Sequence, residues 1–140
     1  MAWTWLRKLA ANPTARIILG ERGEDYATRH LRRHGYKILV RRFKSRSGEI
    51  DIVARHGEWL VFVEVKTRKS DRYGAPSESV NREKQRHMSK VALDYLCLLN
   101  NPQIRFRFDI VEVILPVGAK KPDDVRLIQN AFDLSEPFVY

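Results

Sequence analysis

The sequence predicts an α/β domain, a mixed β-sheet packed between helices. Three observations carry this. Two segments place small and apolar residues at spacings of three and four, as helices do, and others place them at every second position, as strands do. Three strand-like segments follow one another with only short turns between them, which predicts an antiparallel meander. The second helical segment then separates the third strand from a fourth, so the order is helix, three strands, helix, strand, and a weak tail. A chain of 140 residues with 44% hydrophobic content suits one folded domain with a modest core.

The elements follow in order. Residues 1–19 hold two tryptophans and the Asn12-Pro13 break, and predict a short amphipathic extension that packs on the domain. From Gly20 to His34 the pattern is helical, with Gly20, Glu24, Ala27 and Leu31 on one stripe and Gly35 past the last turn. Gly20, Gly23 and Ala27 would let that helix approach a sheet closely. Glu24 shares the stripe, either as an N-terminal-turn acid favoured by the helix dipole or as a site residue. Tyr36 to Val40 reads as a strand, followed by a basic turn from Arg41 to Gly48. Gly48 to Ala54 and Leu60 to Lys66 are two more strands, joined by a turn at Arg55-His56-Gly57-Glu58. Period-two alternation puts Glu49, Asp51 and Val53 on one face of the first, with Ile50 and Ile52 on the other. On the second, Leu60, Phe62, Glu64 and Lys66 share a face.

Thr67 to Ser79 is polar and reads as a loop. A helix then starts near Ser79 or Asn81, either able to cap it, and ends at Asn100-Asn101-Pro102. Its apolar stripe is Gln85, Met88, Ala92, Leu96 and Leu99. Arg105 to Leu115 is the fourth strand, in which Asp109 is expected to pair with a nearby arginine or cap the strand end. Val125 to Gln129 is read as an edge strand, and Asn130 to Leu134 as one turn of helix.

Lys and Arg number 26 against 17 Asp and Glu, a formal charge of +9. Such a surplus points to a polyanionic partner, nucleic acid first and an anionic membrane second. The single cysteine, Cys97, lies among leucines and reads as a buried core thiol. No apolar run is long enough to span a membrane, and Arg7 and Lys8 interrupt the N-terminal apolar stretch. These features lead to the expectation of a cytoplasmic protein with no stable membrane insertion. Walker-type, GxSxG and GxGxxG motifs are absent, and His30 and His34 lack the further ligands of a zinc site.

The chemistry concentrates between Gly48 and Lys66. Acids beside Val and Ile need a partner, because an unpaired charge in a dry environment is costly. The plain alternative is an ion pair of Lys66 with Asp51 or Glu64 at a strand end. The functional alternative is a divalent cation bound together with a phosphate. Magnesium takes one or two protein carboxylates with substrate phosphate completing the shell. Asp51 and Glu64 on adjacent strands could supply them, with the Val65 carbonyl as a third oxygen. Lys66 would orient the attacking hydroxide and offset developing charge. Glu49 and Glu24 could hold a second metal or aim the first, and Gln85 could orient water or hydrogen-bond a carboxylate. Basic residues flank this cluster in sequence: Arg41, Arg42, Lys44 and Arg46 before it, Arg68, Lys69 and Arg72 after it, and Arg82 and Arg86 on the second helix. They are candidate phosphate contacts.

Gly23-Glu24, Gly48-Glu49-Ile50-Asp51-Ile52-Val53, Phe62-Val63-Glu64-Val65-Lys66-Thr67-Arg68, Tyr73-Gly74, Lys84-Gln85 and Arg107-Phe108-Asp109-Ile110-Val111 closely resemble the YraN family of small bacterial proteins. That family is similar in its motifs to the PD-(D/E)xK nucleases, especially archaeal-type Holliday junction resolvases. The resemblance covers residues 20–134, so it implies a single nuclease-like domain there, an N-terminal extension over 1–19 and a tail over 135–140. It implies a restriction-endonuclease-like fold and a magnesium- or manganese-dependent endonuclease acting on DNA, branched or otherwise structured. The alternative is a non-cleaving nucleic-acid-binding module of nuclease ancestry. By position it implies Asp51 and Glu64 as metal ligands, Lys66 as the catalytic lysine, Glu24 as the first-helix acid and Gln85 as the helix residue flanking the site. By analogy with the resolvases it implies a homodimer. Two positions depart from pattern: Ile50 precedes Asp51 where the wider nucleases have Pro, and Arg42 stands where many YraN relatives have Asn.

Overall fold

The structure is a computed structural model that describes residues 18–70 and 80–140. Helix α1 (Ile18–Arg33) leads into strands β1 (Lys37–Ser45), β2 (Gly48–His56) and β3 (Trp59–Arg68). Helix α2 (Arg82–Leu98) then crosses to β4 (Arg105–Ile114), and β5 (Asp124–Phe132) closes the sheet. The five strands lie in sequence order, antiparallel except for the parallel pair β3 and β4. A parallel neighbour needs a long crossover, and α2 is that crossover. This mixed sheet flanked by helices is the restriction-endonuclease-like arrangement implied by the motifs. The N-terminal extension and the segment holding Arg72, Tyr73 and Gly74 lie outside the described residues.

The sheet has an apolar layer on each face. Under α2, Phe43, Ile50, Val53, Phe62 and Phe108 meet Met88, Val91, Tyr95 and Leu96. Tyr95 takes Phe43 and Phe62 edge-on, at 5.0 Å and 5.7 Å between ring centroids. Under α1, Ile52, Ala54, Val61, Val63, Val111 and Val113 meet Ala27 and Leu31. Gly23 brings α1 hard against β3: a methyl group built there would lie 1.8 Å from Thr67 Oγ1 and 3.0 Å from its Cβ. The close helix approach read from the small-residue stripe is present at this glycine.

Several expectations are corrected. The basic stretch after Val40 is not a turn. β1 continues through it to Ser45, because Phe43 is buried opposite Ile50 and the ladder persists to the Ser45↔Gly48 pair. Strand β5 likewise runs through Asn130 to Phe132 instead of ending in a helical turn. Asn130 takes a left-handed conformation (φ 50), its amide donates to Asp109 Oδ1 at 2.9 Å, and Phe132 stacks on Phe108 at 4.7 Å. Cys97 is exposed, not buried. Its neighbours Tyr95 and Leu96 take the core-facing side of α2, which turns Cys97 and Leu98 outward.

The fourth correction concerns β2. Ile50 packs under α2 and Ile52 under α1, so they do not share a face. The alternation slips at Asp51. Across the ladder, between the pairs Arg41↔Ile52 and Phe43↔Ile50, stands Arg42, with φ 55. A left-handed residue in a strand interrupts the pleat, and Asn adopts that conformation more readily than Arg. Asn, the residue that the family resemblance leads one to expect at this place, would fit that conformation with less strain.

Candidate functional site

Strands β2 and β3 pair from His56↔Trp59 up to Ile52↔Val63, and there the ladder stops. β3 keeps pairing with β4 as far as Arg68↔Ile114. β3 is thus left without its β2 partner from Glu64 onward. The Val65 amide takes a side-chain acceptor instead: Asp51 Oδ2, at 2.8 Å. The slip in β2 and the parting of the strands together place the Asp51 carboxylate beside Glu64.

Glu64 is only 5% exposed, on the α2 face of the sheet with Leu60 and Phe62. Its Oε1 lies 3.5 Å from Lys84 Nζ. Its Oε2 is buried with no hydrogen-bond partner among the described residues. Burial pushes the Glu64 pKa up, against the pull of Lys84, Lys66 and hydrogen bonding with Asp51. Asp51 is raised further, to about 8, by burial first and the Glu64 charge second; the Val65 amide and Lys84 pull the other way. Two buried acids side by side disfavour the doubly ionised state.

Lys66 is half-buried on β3, opposite Glu112 in the parallel ladder, and its charge reaches Glu64. Asp51, Glu64 and Lys66 are therefore brought together. Glu24 lies near enough for its charge to raise Asp51, but its own oxygens are taken: Oε1 by Arg41 at 3.0 Å and Oε2 by Arg42 at 3.1 Å. It sits beyond the first turn of α1, so these ion pairs and not the helix dipole hold it. Glu49 is exposed and 4.0 Å from Lys44. No group of three or more His, Cys, Asp or Glu side chains able to hold a metal is present among the described residues. Of the expected ligand residues, Asp51 and Glu64 lie together with the Val65 backbone, and Glu49 stands beside Lys44. Gln85 Nε2 donates to Val80 O at 3.0 Å, so its amide donor ties the start of α2 and does not reach a carboxylate.

The basic candidates divide. Arg41 and Arg42 serve Glu24, and Arg41 also reaches Asp25 at 2.8 Å. Arg68 Nε lies 3.2 Å from Glu112. Arg46, Lys69, Arg82 and Arg86 are exposed, with Arg86 over the Phe138 ring. Asp109 does pair with an arginine: Arg107 Nε donates to it at 3.0 Å and the Tyr36 hydroxyl at 2.7 Å. In the parallel ladder Asp109 stands opposite Val63, next to Glu64, but its carboxylate joins Tyr36 on the α1 face of the sheet while Glu64 is on the α2 face.

Two residues escaped the sequence reading. Lys84 was seen only as half of a motif, yet it is the side-chain cation on Glu64. Its signal was its place in the first turn of a helix whose leading stripe held a polar residue. Glu112 is fully buried between Arg68 and Arg126, at 3.2 Å and 3.6 Å. An acid inside Ile110-Val111-Glu112-Val113-Ile114 was the available signal.

The model of the uncharacterised protein family UPF0102 matches residues 23–113. The chain is 47% identical over 114 residues to a UPF0102 protein of Symbiobacterium thermophilum, covering 81% of this chain and 95% of that one. It is 46% identical over 117 residues to one of Geobacter metallireducens (84% and 93%) and 44% over 114 residues to one of Caldicellulosiruptor saccharolyticus (81% and 96%). The matched stretch contains Asp51, Glu64, Lys66 and Lys84. The chain belongs to the UPF0102 family, the YraN family that its motifs resemble.

Proposed function

We propose that this protein is a divalent-metal-dependent endonuclease that hydrolyses phosphodiester bonds in DNA, with branched or otherwise structured DNA as the substrate class. The observation that carries the reading is the meeting of Asp51 and Glu64 where β2 and β3 part, with Glu64 Oε2 buried and without a donor. This donor set fits a hard cation that prefers oxygen and keeps part of its water. Asp51, Glu64 and the Val65 carbonyl would hold magnesium or manganese. Bound there, the ion would supply Lewis acidity to a phosphoryl oxygen and charge to steady the leaving oxygen.

The chain's own residues supply the rest of the mechanism. The Val65 amide fixes the Asp51 carboxylate through Oδ2. Lys66 brings a positive charge to the same side of β3 as Glu64, where it orients the attacking water and offsets charge on the phosphorane. Glu24 holds Arg41 and Arg42 in place beside the site. Exposed Arg46, Lys69, Arg82 and Arg86 offer the phosphate contacts that position a strand. The test is cleavage of linear, flapped and four-way DNA with magnesium or manganese, alongside Asp51→Ala and Lys66→Ala. Cleavage that persists in both variants would sink this active site.

A second reading, a nucleic-acid-binding module of nuclease ancestry that does not cut, is favoured by one observation. Glu24 is neutralised by two arginines, which leaves two carboxylates converging among the described residues. Salt-dependent DNA binding without cleavage under any divalent metal would select it.

A further inference from the structure

Lys84 is oddly placed for a surface lysine. It lies in the first turn of α2, where the helix dipole disfavours a cation. Its own amide is spent on the cap, donating to Asn81 Oδ1 at 2.9 Å, so its backbone is fixed. Its side chain is 38% exposed and turns toward the sheet, with Nζ 3.5 Å from Glu64 Oε1. The other oxygen of the same carboxylate is buried and has no donor. One ammonium thus covers half of a buried acid whose other half stays bare.

We propose that Lys84 is a resident counter-ion of the Asp51–Glu64 pair, which holds Glu64 in the metal-free protein, is released from it by an arriving divalent cation, and then faces the phosphate of the nucleic-acid substrate. This rests on the metal-site reading above. The charges require it: a divalent ion bound to Glu64 Oε2 repels an ammonium on Oε1, and Coulomb repulsion at such separations is substantial even at an effective dielectric of about 20. Partial exposure gives the lysine stem a path outward, while the fixed backbone at Asn81 limits how far it can go. Lys84 therefore lowers the protein's affinity for free metal and raises its affinity for metal with phosphate. The site would load fully only when nucleic acid is present.

Calorimetric titration of manganese into the full chain, in alkaline buffer where protons compete least, tests this with wild type, Lys84→Met and Lys84→Arg. Removing the charge is expected to tighten manganese binding by about 3- to 10-fold, the size of a partly exposed ion pair. Lys84→Arg keeps the charge and is expected to match wild type. With calcium in place of manganese, Lys84→Met is expected to weaken binding of a DNA four-way junction while Lys84→Arg does not. Equal manganese affinity in wild type and Lys84→Met overturns the counter-ion role and leaves the metal site standing. A double-mutant cycle of Lys84→Met with Glu64→Gln, read by thermal unfolding without metal, separates the two ideas. Coupling in that cycle with no manganese binding to any variant overturns the metal reading, and the release proposal with it, while the ion pair stands.

Discussion

The Val65 amide donates to Asp51 Oδ2 at 2.8 Å, at the position where β3 has lost its β2 neighbour. A backbone donor that the ladder leaves unpaired is thus satisfied by a side chain. The same bond presses a carboxylate against Glu64 in a buried place. The sheet's local defect and the acid cluster are one feature.

That feature predicts an unusual pH dependence. Burial and Glu64 raise Asp51 from 3.8 in the unfolded chain to about 8 in the fold. The folded state then binds its proton more tightly than the unfolded state does. The stabilising contribution is complete below the unfolded value and is lost as pH rises through about 8. Asp51→Asn cannot titrate and retains an oxygen for the Val65 amide. Without metal, it is expected to melt above wild type at pH 8 to 9, with the gap closing toward pH 4. Thermal unfolding across that range checks this, and a gap of constant size would contradict it. Manganese should stabilise wild type on the alkaline side and leave Asp51→Asn unmoved.

Packing of α1 on β3 predicts a second result. At Gly23 an added methyl group would meet both Oγ1 and Cβ of Thr67, so no rotamer change relieves it fully. Gly23→Ala is expected to destabilise by about 1–3 kcal/mol, the usual cost of overpacking. Adding Thr67→Ala removes the closest atom and should restore part of the loss. Urea denaturation of the two single variants and the double variant measures this.

Asp109 predicts the largest stability effect. It is fully buried and accepts from Arg107, Tyr36 and the Asn130 amide. Asp109→Ala strands the Arg107 charge and a buried hydroxyl, at a cost of about 3–5 kcal/mol. The melting temperature should fall sharply. Manganese affinity of the fraction that remains folded should not change, because the Asp109 carboxylate lies on the α1 face of the sheet and Glu64 on the α2 face.

Much of this was legible in the sequence, for physical reasons. Hydrophobic period separates helix from strand, and it located both helices and the strands of the meander. The cluster of Asp51, Glu64 and Lys66 was legible because charged residues stand out in apolar strands. What was not legible depends on local breaks in regularity. The face of Ile50 turns on a left-handed Arg42 one strand away, which no periodicity records. The extent of β1 turns on Phe43 finding a buried place among basic neighbours. Lys84 was missed because a helix face does not say which sheet residue lies beneath it. The arginines at 41 and 42 read as candidate phosphate contacts, and the packing of α1 shows them bound to Glu24.

Lys66 separates catalysis from binding. It stands on the same face of β3 as Glu64 and acts on it electrostatically, yet it supplies no oxygen to a metal. Lys66→Met should therefore leave a manganese site and, by removing a positive charge, tighten it modestly. On the nuclease reading its contribution is to a charge that develops only in the transition state, so removal is expected to slow cleavage by about 100-fold or more. Binding of the same junction DNA in calcium should change by less than about 10-fold, since one contact among several phosphate contacts is lost. Single-turnover cleavage and calcium-supported binding, measured on one preparation, read the two quantities separately. Equal losses in both would make Lys66 a phosphate anchor with no separate part in the chemical step. A loss confined to cleavage places Lys66 at the reacting phosphate.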